Sequence, residues 1–126
     1  MYQIDAMSRV PVYEQIVDQT VKFILAGILK PGDRIPSVRN LSIELSVNPN
    51  TIQKSISELD RKGLIFSVPG KGCFVTEEAK ALLSAVKKGE MAEIKAKLKE
   101  LFLAGIKKEE LISLIEDIYS NKEVLA

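Results

Sequence analysis

The chain has 126 residues, 46% of them hydrophobic, which suits one domain or a small domain with an appendage and permits a real core. It carries 18 Lys and Arg against 17 Asp and Glu, a formal charge of +1, so it is not a protein that is basic throughout. With no histidine and a single cysteine, Cys73, it has no Cys or His cluster for zinc, no histidine base and no internal disulfide.

Charge is more informative by segment. Residues 30–76 hold seven Lys or Arg against four Asp or Glu, whereas residues 77–126 hold nine against ten, so the small positive excess lies in the first part. No apolar run approaches the roughly 20 residues needed to cross a bilayer, and no basic, apolar leader is present. The expected location is the cytoplasm, with no membrane partner.

In chain order, Met1 to Val10 is short, with Ile4 as its expected apolar anchor. Pro11 to Ala26 reads as a helix in which Val12, Ile16, Val17, Val21, Ile24 and Leu25 form a wide apolar face. Residues 27–36, GILKPGDRIP, are rich in Gly and Pro and mark a turn-rich connection.

Residues 36–62 read as two short helices separated by a tight turn. In the first, Ser37 is placed to cap the start, and Val38, Leu41 and Leu45 fall on one face. In the second, Asn48 is an N-cap, Pro49 suits the first helical position, and Gly63 ends the helix. Ile52, Ile56 and Leu59 form the buried stripe; Asn50, Lys54, Ser57 and Arg61 lie opposite it, with Gln53 at its edge. A helix held by one side, with a polar and basic face free and another helix in front, is a helix-turn-helix whose second helix enters a DNA major groove.

After Gly63 the period changes. Leu64 to Val68 and Cys73 to Thr76 are β-prone runs around the turn residues 69–72, PGKG, giving a hairpin with Lys71 at its tip. The predicted fold is therefore mainly α with a small β-hairpin, a winged helix-turn-helix over residues 1–76. Residues 77–126 read as a two-helix dimerisation or effector tail: Leu83, Val86, Met91, Ile94, Leu98 and Leu101 recur at helical spacing, with Gly89 marking a break or bend. Leu111, Ile112, Leu114, Ile115 and Ile118 belong to the second helix. Two such helices cannot enclose a core alone, so a homodimer is expected.

The runs PVYEQI (11–16), GILKPGDRIPSVR (27–39), VNPNTIQ (47–53), ELDRKGLI (58–65) and GKGCFV (70–75) closely resemble the GntR family of transcription regulators. The short helical tail resembles its YtrA subfamily. The resemblance implies a homodimeric winged-helix regulator, usually a repressor, on a palindromic operator, with membrane-transporter genes among common targets. It also implies DNA-binding roles for Ser37 and Arg39 at the first helix, for Asn48, Asn50, Thr51, Gln53 and Lys54 at the second, and for Gly70, Lys71 and Gly72 at the wing tip. Val68 and Pro69 stand where the family commonly has basic residues.

Asn and Gln pair in bidentate fashion with adenine, and the reading helix has no early Arg for guanine, so A·T pairs are expected under it. A second functional class is a winged helix used for protein interaction without sequence-specific DNA binding. An enzyme is not expected, because there is no His, no paired carboxylates in an apolar setting and no phosphate-binding loop before a helix. No cofactor or metal is expected. An unknown small-molecule effector would bind between subunits or between tail and wing, since two helices make no deep pocket.

Overall fold

The computed structural model describes residues 1–121, so the last five residues of the expected tail, 122–126, lie outside the described residues. The elements run α1 (Val12–Leu25), α2 (Val38–Leu45), α3 (Pro49–Arg61), β1 (Ile65–Val68), β2 (Gly72–Val75), α4 (Ala79–Lys88), α5 (Met91–Leu103) and α6 (Lys108–Ser120). They form two compact units, Met1–Ser84 and Ala85–Ala126.

The first unit is built on the expected stripes. Ile16, Val17 and Ile24 of α1, Leu41 of α2, and Ile52, Ile56 and Leu59 of α3 share one core with Leu29, Ile35, Leu64, Ile65 and Val75. Two buried polar side chains sit within it, and both are satisfied. Ser55 Oγ reaches the carbonyls of Tyr13 at 3.0 Å and Thr51 at 3.3 Å, tying α3 to α1. Thr20 Oγ1 donates to the Ile16 carbonyl at 2.8 Å, so the Tyr2 hydroxyl, 2.7 Å away, donates to Thr20.

Tyr2 is itself core, 5% exposed, with its ring edge-on to Phe23. The N-terminal arm therefore has a second anchor besides the half-buried Ile4. Burial pushes the Tyr2 phenol above its ordinary range.

Two glutamine side chains fasten the arm. Gln19 exchanges both its amide groups with the backbone N–H and C=O of Gln3, and Gln15 does the same with Asp5. The fit is geometric: four residues of helix advance about 6 Å and two residues of extended chain about 6.6 Å.

The hairpin pairs Ile65 with Val75, Phe66 with Phe74, Ser67 with Cys73 and Val68 with Gly72. Residues 32–35, expected as part of a turn-rich connection, also lie along the other edge of β2. Gly32 N donates to Val75 O at 2.9 Å, Val75 N to Asp33 O at 2.9 Å, and Ile35 N to Cys73 O at 3.0 Å. Both edges of β2 are thus occupied, and Arg34 bridges to Phe74.

The first expected tail helix is divided at Gly89 into α4 and α5. The Gly89 N–H lies over the Ala85 and Val86 carbonyls at 3.3 and 3.1 Å, and Glu90 starts a new turn. Ala79, at the start of α4, is buried in the first unit's core. In the second unit, α5 and α6 have no buried residue, and only Leu101 and Leu111 on them are half-buried. No helix among the described residues is long and apolar enough to cross a membrane.

Candidate nucleic-acid interface

Both helix starts are capped as expected. Ser37 Oγ accepts from the Asn40 N–H at 3.0 Å, and Asn48 Oδ1 accepts from the Asn50 N–H at 2.8 Å, with Pro49 at the first helical position. Capping uses the acceptor side of each group, leaving the Ser37 O–H and the Asn48 NH2 as donors.

The turn between α2 and α3 is tight. Ser46 adopts a left-handed conformation, φ 54°, unusual for a residue with a Cβ. Ser42 holds the turn from both sides: its hydroxyl donates to the Val47 carbonyl at 2.6 Å and its carbonyl accepts the Val47 N–H at 3.2 Å. At the far end of α3, Gly63 with φ +76° lets the Gly63 N–H reach Asp60 O and the Leu64 N–H reach Leu59 O, which stops the helix and starts β1.

Helix α3 is consequently gripped on one side and open on the other. Ile52, Ser55, Ile56 and Leu59 are buried, whereas Asn50, Gln53, Lys54, Ser57 and Arg61 are exposed and Thr51 is half-buried. The open face is partly organised by the protein itself. Lys54 Nζ lies 4.0 Å from the centre of the Tyr13 ring, a cation–π contact, and Gln53 Nε2 lies 3.4 Å from Ser57 Oγ. A hydrogen bond to Glu14 pushes the Tyr13 phenol above its ordinary value. Arg61 is engaged by Glu58, whose carboxyl the guanidinium holds below the usual carboxylate range.

Arg39 is different. It is exposed in the first turn of α2 and enters no ion pair among the described residues, neither with Glu44 nor with Asp33. A cation there opposes the helix dipole, so its position is not explained by helix stability. Three helices, α2, α3 and α4, have no acid in the first turn, whereas α1, α5 and α6 do. Of the three, α2 carries Arg39 there, and a helix N-terminus bearing an arginine suits an anionic partner.

At the wing, the Lys71 N–H bonds to Val68 O at 2.9 Å across Pro69 and Gly70, and Lys71 is exposed. Gly70 has φ +77°, the third-position conformation of a type II turn after proline. Gly72 serves a close approach inside the protein. A Cβ there would fall 2.8 Å from Arg34 Nε, so the arginine crosses β2 where no side chain stands.

Arg34 is the residue that sequence reading missed. The edge pairing of residues 32–35 carries it to the wing base, and it lines the same surface hollow as Ser37 and Asn40. Phe66 and Phe74, opposite each other with ring centres 5.8 Å apart, occupy the face of the hairpin that Arg34 shares. Among the described residues no group of His, Cys, Asp and Glu could hold a metal ion.

Residues 12–75, the span from α1 to the end of β2, match the family of bacterial regulatory proteins called gntR. The chain belongs to the GntR family. It is 43% identical over 125 residues to the HTH-type transcriptional repressor YtrA of Bacillus subtilis, covering 96% of this chain and 94% of that one. A GntR family transcriptional regulator from Listeria monocytogenes has a solved structure that superposes with TM-score 0.69 at 32% identity, over 90% of this chain and 98% of the other. The DNA-binding part of AraR, solved in complex with operator ORE1, superposes with TM-score 0.52 at 30% identity, over 60% of this chain and 93% of its own. The GntR likeness to YtrA thus runs through the tail, and the likeness to the operator-bound fragment is confined to a part of the chain.

Proposed function

We propose that this GntR-family chain is a sequence-specific transcriptional repressor that acts in the cytoplasm as a homodimer on a palindromic operator. The observation that carries this reading is the open face of α3, uncharged polar or basic from Asn50 through Gln53 and Lys54 to Ser57, with Asp60 and the Glu58–Arg61 pair only at its far end, on a helix whose other face is locked into the core. In this reading α3 lies in the major groove, with Asn50, Thr51 and Gln53 toward base edges and Lys54 toward a phosphate. Ser37, Arg39 and the Asn48 amide hold the backbone of the DNA. Gly70, Lys71 and Gly72 bring the wing close to the duplex, and Arg34 adds a cation at its base.

The named relatives are regulators, which favours binding over catalysis for this chain as well. The apolar residues left exposed on α5 and α6 favour a dimer made through residues 77–126. Genes for membrane transporters are the targets that the family likeness suggests, and a small molecule would act by favouring one spacing of the two reading helices.

The test is selection of random duplex DNA by the purified protein at near-physiological salt, followed by sequencing. The expected pool is a palindrome with half-site centres one turn of DNA apart, roughly 34–36 Å, or a multiple of it, and A·T pairs under Asn50 and Gln53. A pool that stays random would overturn the reading, and half-sites with only G·C at their core would remove the adenine assignment.

A further inference from the structure

The outer face of the wing carries a cation that the hairpin itself does not supply. Ile65 and Val75 are buried in the core, so strand alternation sends Phe66, Phe74, Val68 and Gly72 to the opposite face. Residues 65–70 and 72–75 contain no charged side chain, which leaves Lys71 at the tip as the hairpin's own cation. Arg34, bridged to Phe74 along the second edge of β2, shares that outer face, while its neighbour Ile35 is buried.

The guanidinium passes the one position of β2 that has no side chain. A Cβ on Gly72 would stand 2.8 Å from Arg34 Nε and 3.4 Å from its Cζ and Nη2, so any other residue there would push the arginine aside. Arg34 is exposed and has no ion pair or side-chain hydrogen bond among the described residues. The adjacent acid, Asp33, is turned to the Lys30 N–H, which it accepts at 2.8 Å. With Ser37 and Asn40, Arg34 lines a surface hollow of about 340 Å³ where the chain enters α2, next to the exposed Arg39. A planar fork laid in a channel, with its donors unsatisfied and a second arginine nearby, is prepared for an external anion that it can grip by two oxygens.

We propose that Arg34 binds a backbone phosphate of the DNA and that Gly72 is the positioning residue that gives it its path. The proposal rests on the reading of this surface as a DNA interface and deepens it: the missing side chain at Gly72 acts through Arg34. Phosphate is the partner because Arg34 lies across a sheet face and not on a projecting tip that could enter a groove.

The full-length protein is tested on two duplexes, the operator selected as above and one of random sequence. Arg34→Ala should weaken binding to both by the same factor, about tenfold, and lower the slope of log affinity against log salt by about one, since a phosphate contact carries no sequence information. Arg34→Lys should keep the slope and lose part of the affinity, because it retains the charge without the fork. Unchanged affinity and slope in Arg34→Ala would overturn the contact, and a loss confined to the operator would overturn the phosphate assignment.

Gly72→Ala should also lower the slope by about one, and should lower it no further in the Arg34→Ala background. The variants are compared well below their melting temperatures, because a side chain at φ +121° also strains the turn. Equal losses of slope in both backgrounds would overturn the positioning role. If Gly72→Ala does not fold, the parent protein without DNA decides: a nuclear Overhauser contact between the Arg34 side chain and the Gly72 Hα is expected, and its absence overturns that role. A protein that selects no operator but loses random-duplex affinity on Arg34→Ala speaks against the repressor reading alone. One that selects an operator and is indifferent to Arg34→Ala speaks against this contact alone.

Discussion

Residues 1–84 and residues 85–121 contain similar apolar side chains and place them oppositely. In the first unit Ile16, Leu41, Ile52, Leu59, Leu64, Ile65 and Val75 are all less than 2% exposed. In the second, Val86, Met91, Ile94, Leu114, Ile115 and Ile118 are exposed, and Phe102 and Leu103 stand 75% and 83% open. Three helices and a hairpin close around a core, whereas a pair of helices buries only a seam and needs another surface for the rest. The first unit closes its core within one chain, whereas α5 and α6 leave most of their apolar side chains on the surface.

The strongest test of that contrast is to spoil the tail and spare the core. Ile94→Asp with Ile115→Asp should leave the winged helix folded, give monomers by sedimentation at micromolar concentration, and weaken operator binding by about two orders of magnitude or more, the loss of avidity between half-sites. A variant that stays dimeric would show that the apolar band serves a different partner. The converse change, Leu59→Ala, removes a fully buried side chain and should cost about 2–5 kcal/mol, read as a lower urea midpoint. A cost below about 1 kcal/mol would mean the first unit is less tightly closed than its burial implies.

Smaller effects separate the open surface of the first unit from its core. Arg39→Ala should weaken operator binding by about tenfold and reduce the slope of log affinity against log salt by about one, without moving the melting temperature. Arg61→Ala, which removes a guanidinium already engaged by Glu58, should change neither; the opposite ranking in a gel-shift series would reverse their assignments. Ser55→Ala should cost about 1 kcal/mol, since it removes the hydroxyl that joins α3 to the Tyr13 carbonyl. Least of all, Ser46→Gly should raise stability by up to about 1 kcal/mol, because glycine takes φ 54° without strain. Destabilisation instead would show that the serine stiffens the unfolded chain more than it strains the turn.

Much of the first unit was legible because its signals are local. Ser37, Asn48, Pro49 and Gly63 announce helix ends through their own chemistry, and the stripe of Ile52, Ile56 and Leu59 needs only the helical period. What was not legible depends on contacts distant in sequence. Tyr2 is recognised as core only when α1 brings Thr20 and Phe23 to it. Residues 32–35 look like a turn because Pro and Gly surround them, and their pairing with β2 is made some forty residues later.

Arg34 follows from that pairing, so its place at the wing was hidden with it. The open question at Gly89 had a local answer in the end, a break between α4 and α5, but propensity alone does not decide between a bend and a break. Of the expected interface, the positions on α3 could be read from periodicity. The engagement of Lys54 by Tyr13 could not, because it joins two helices across the core's edge.

The glutamine fastening of the N-terminal arm has a further consequence. An extended terminal segment with unpaired backbone groups is a sticky edge, able to pair with the same segment of another molecule or to trade places with it. Here the N–H and C=O of Gln3 and Asp5 are occupied by side-chain amides of the same chain. That leaves these groups unavailable for pairing with the same segment of another molecule, so Gln15 and Gln19 shield the arm from exchange.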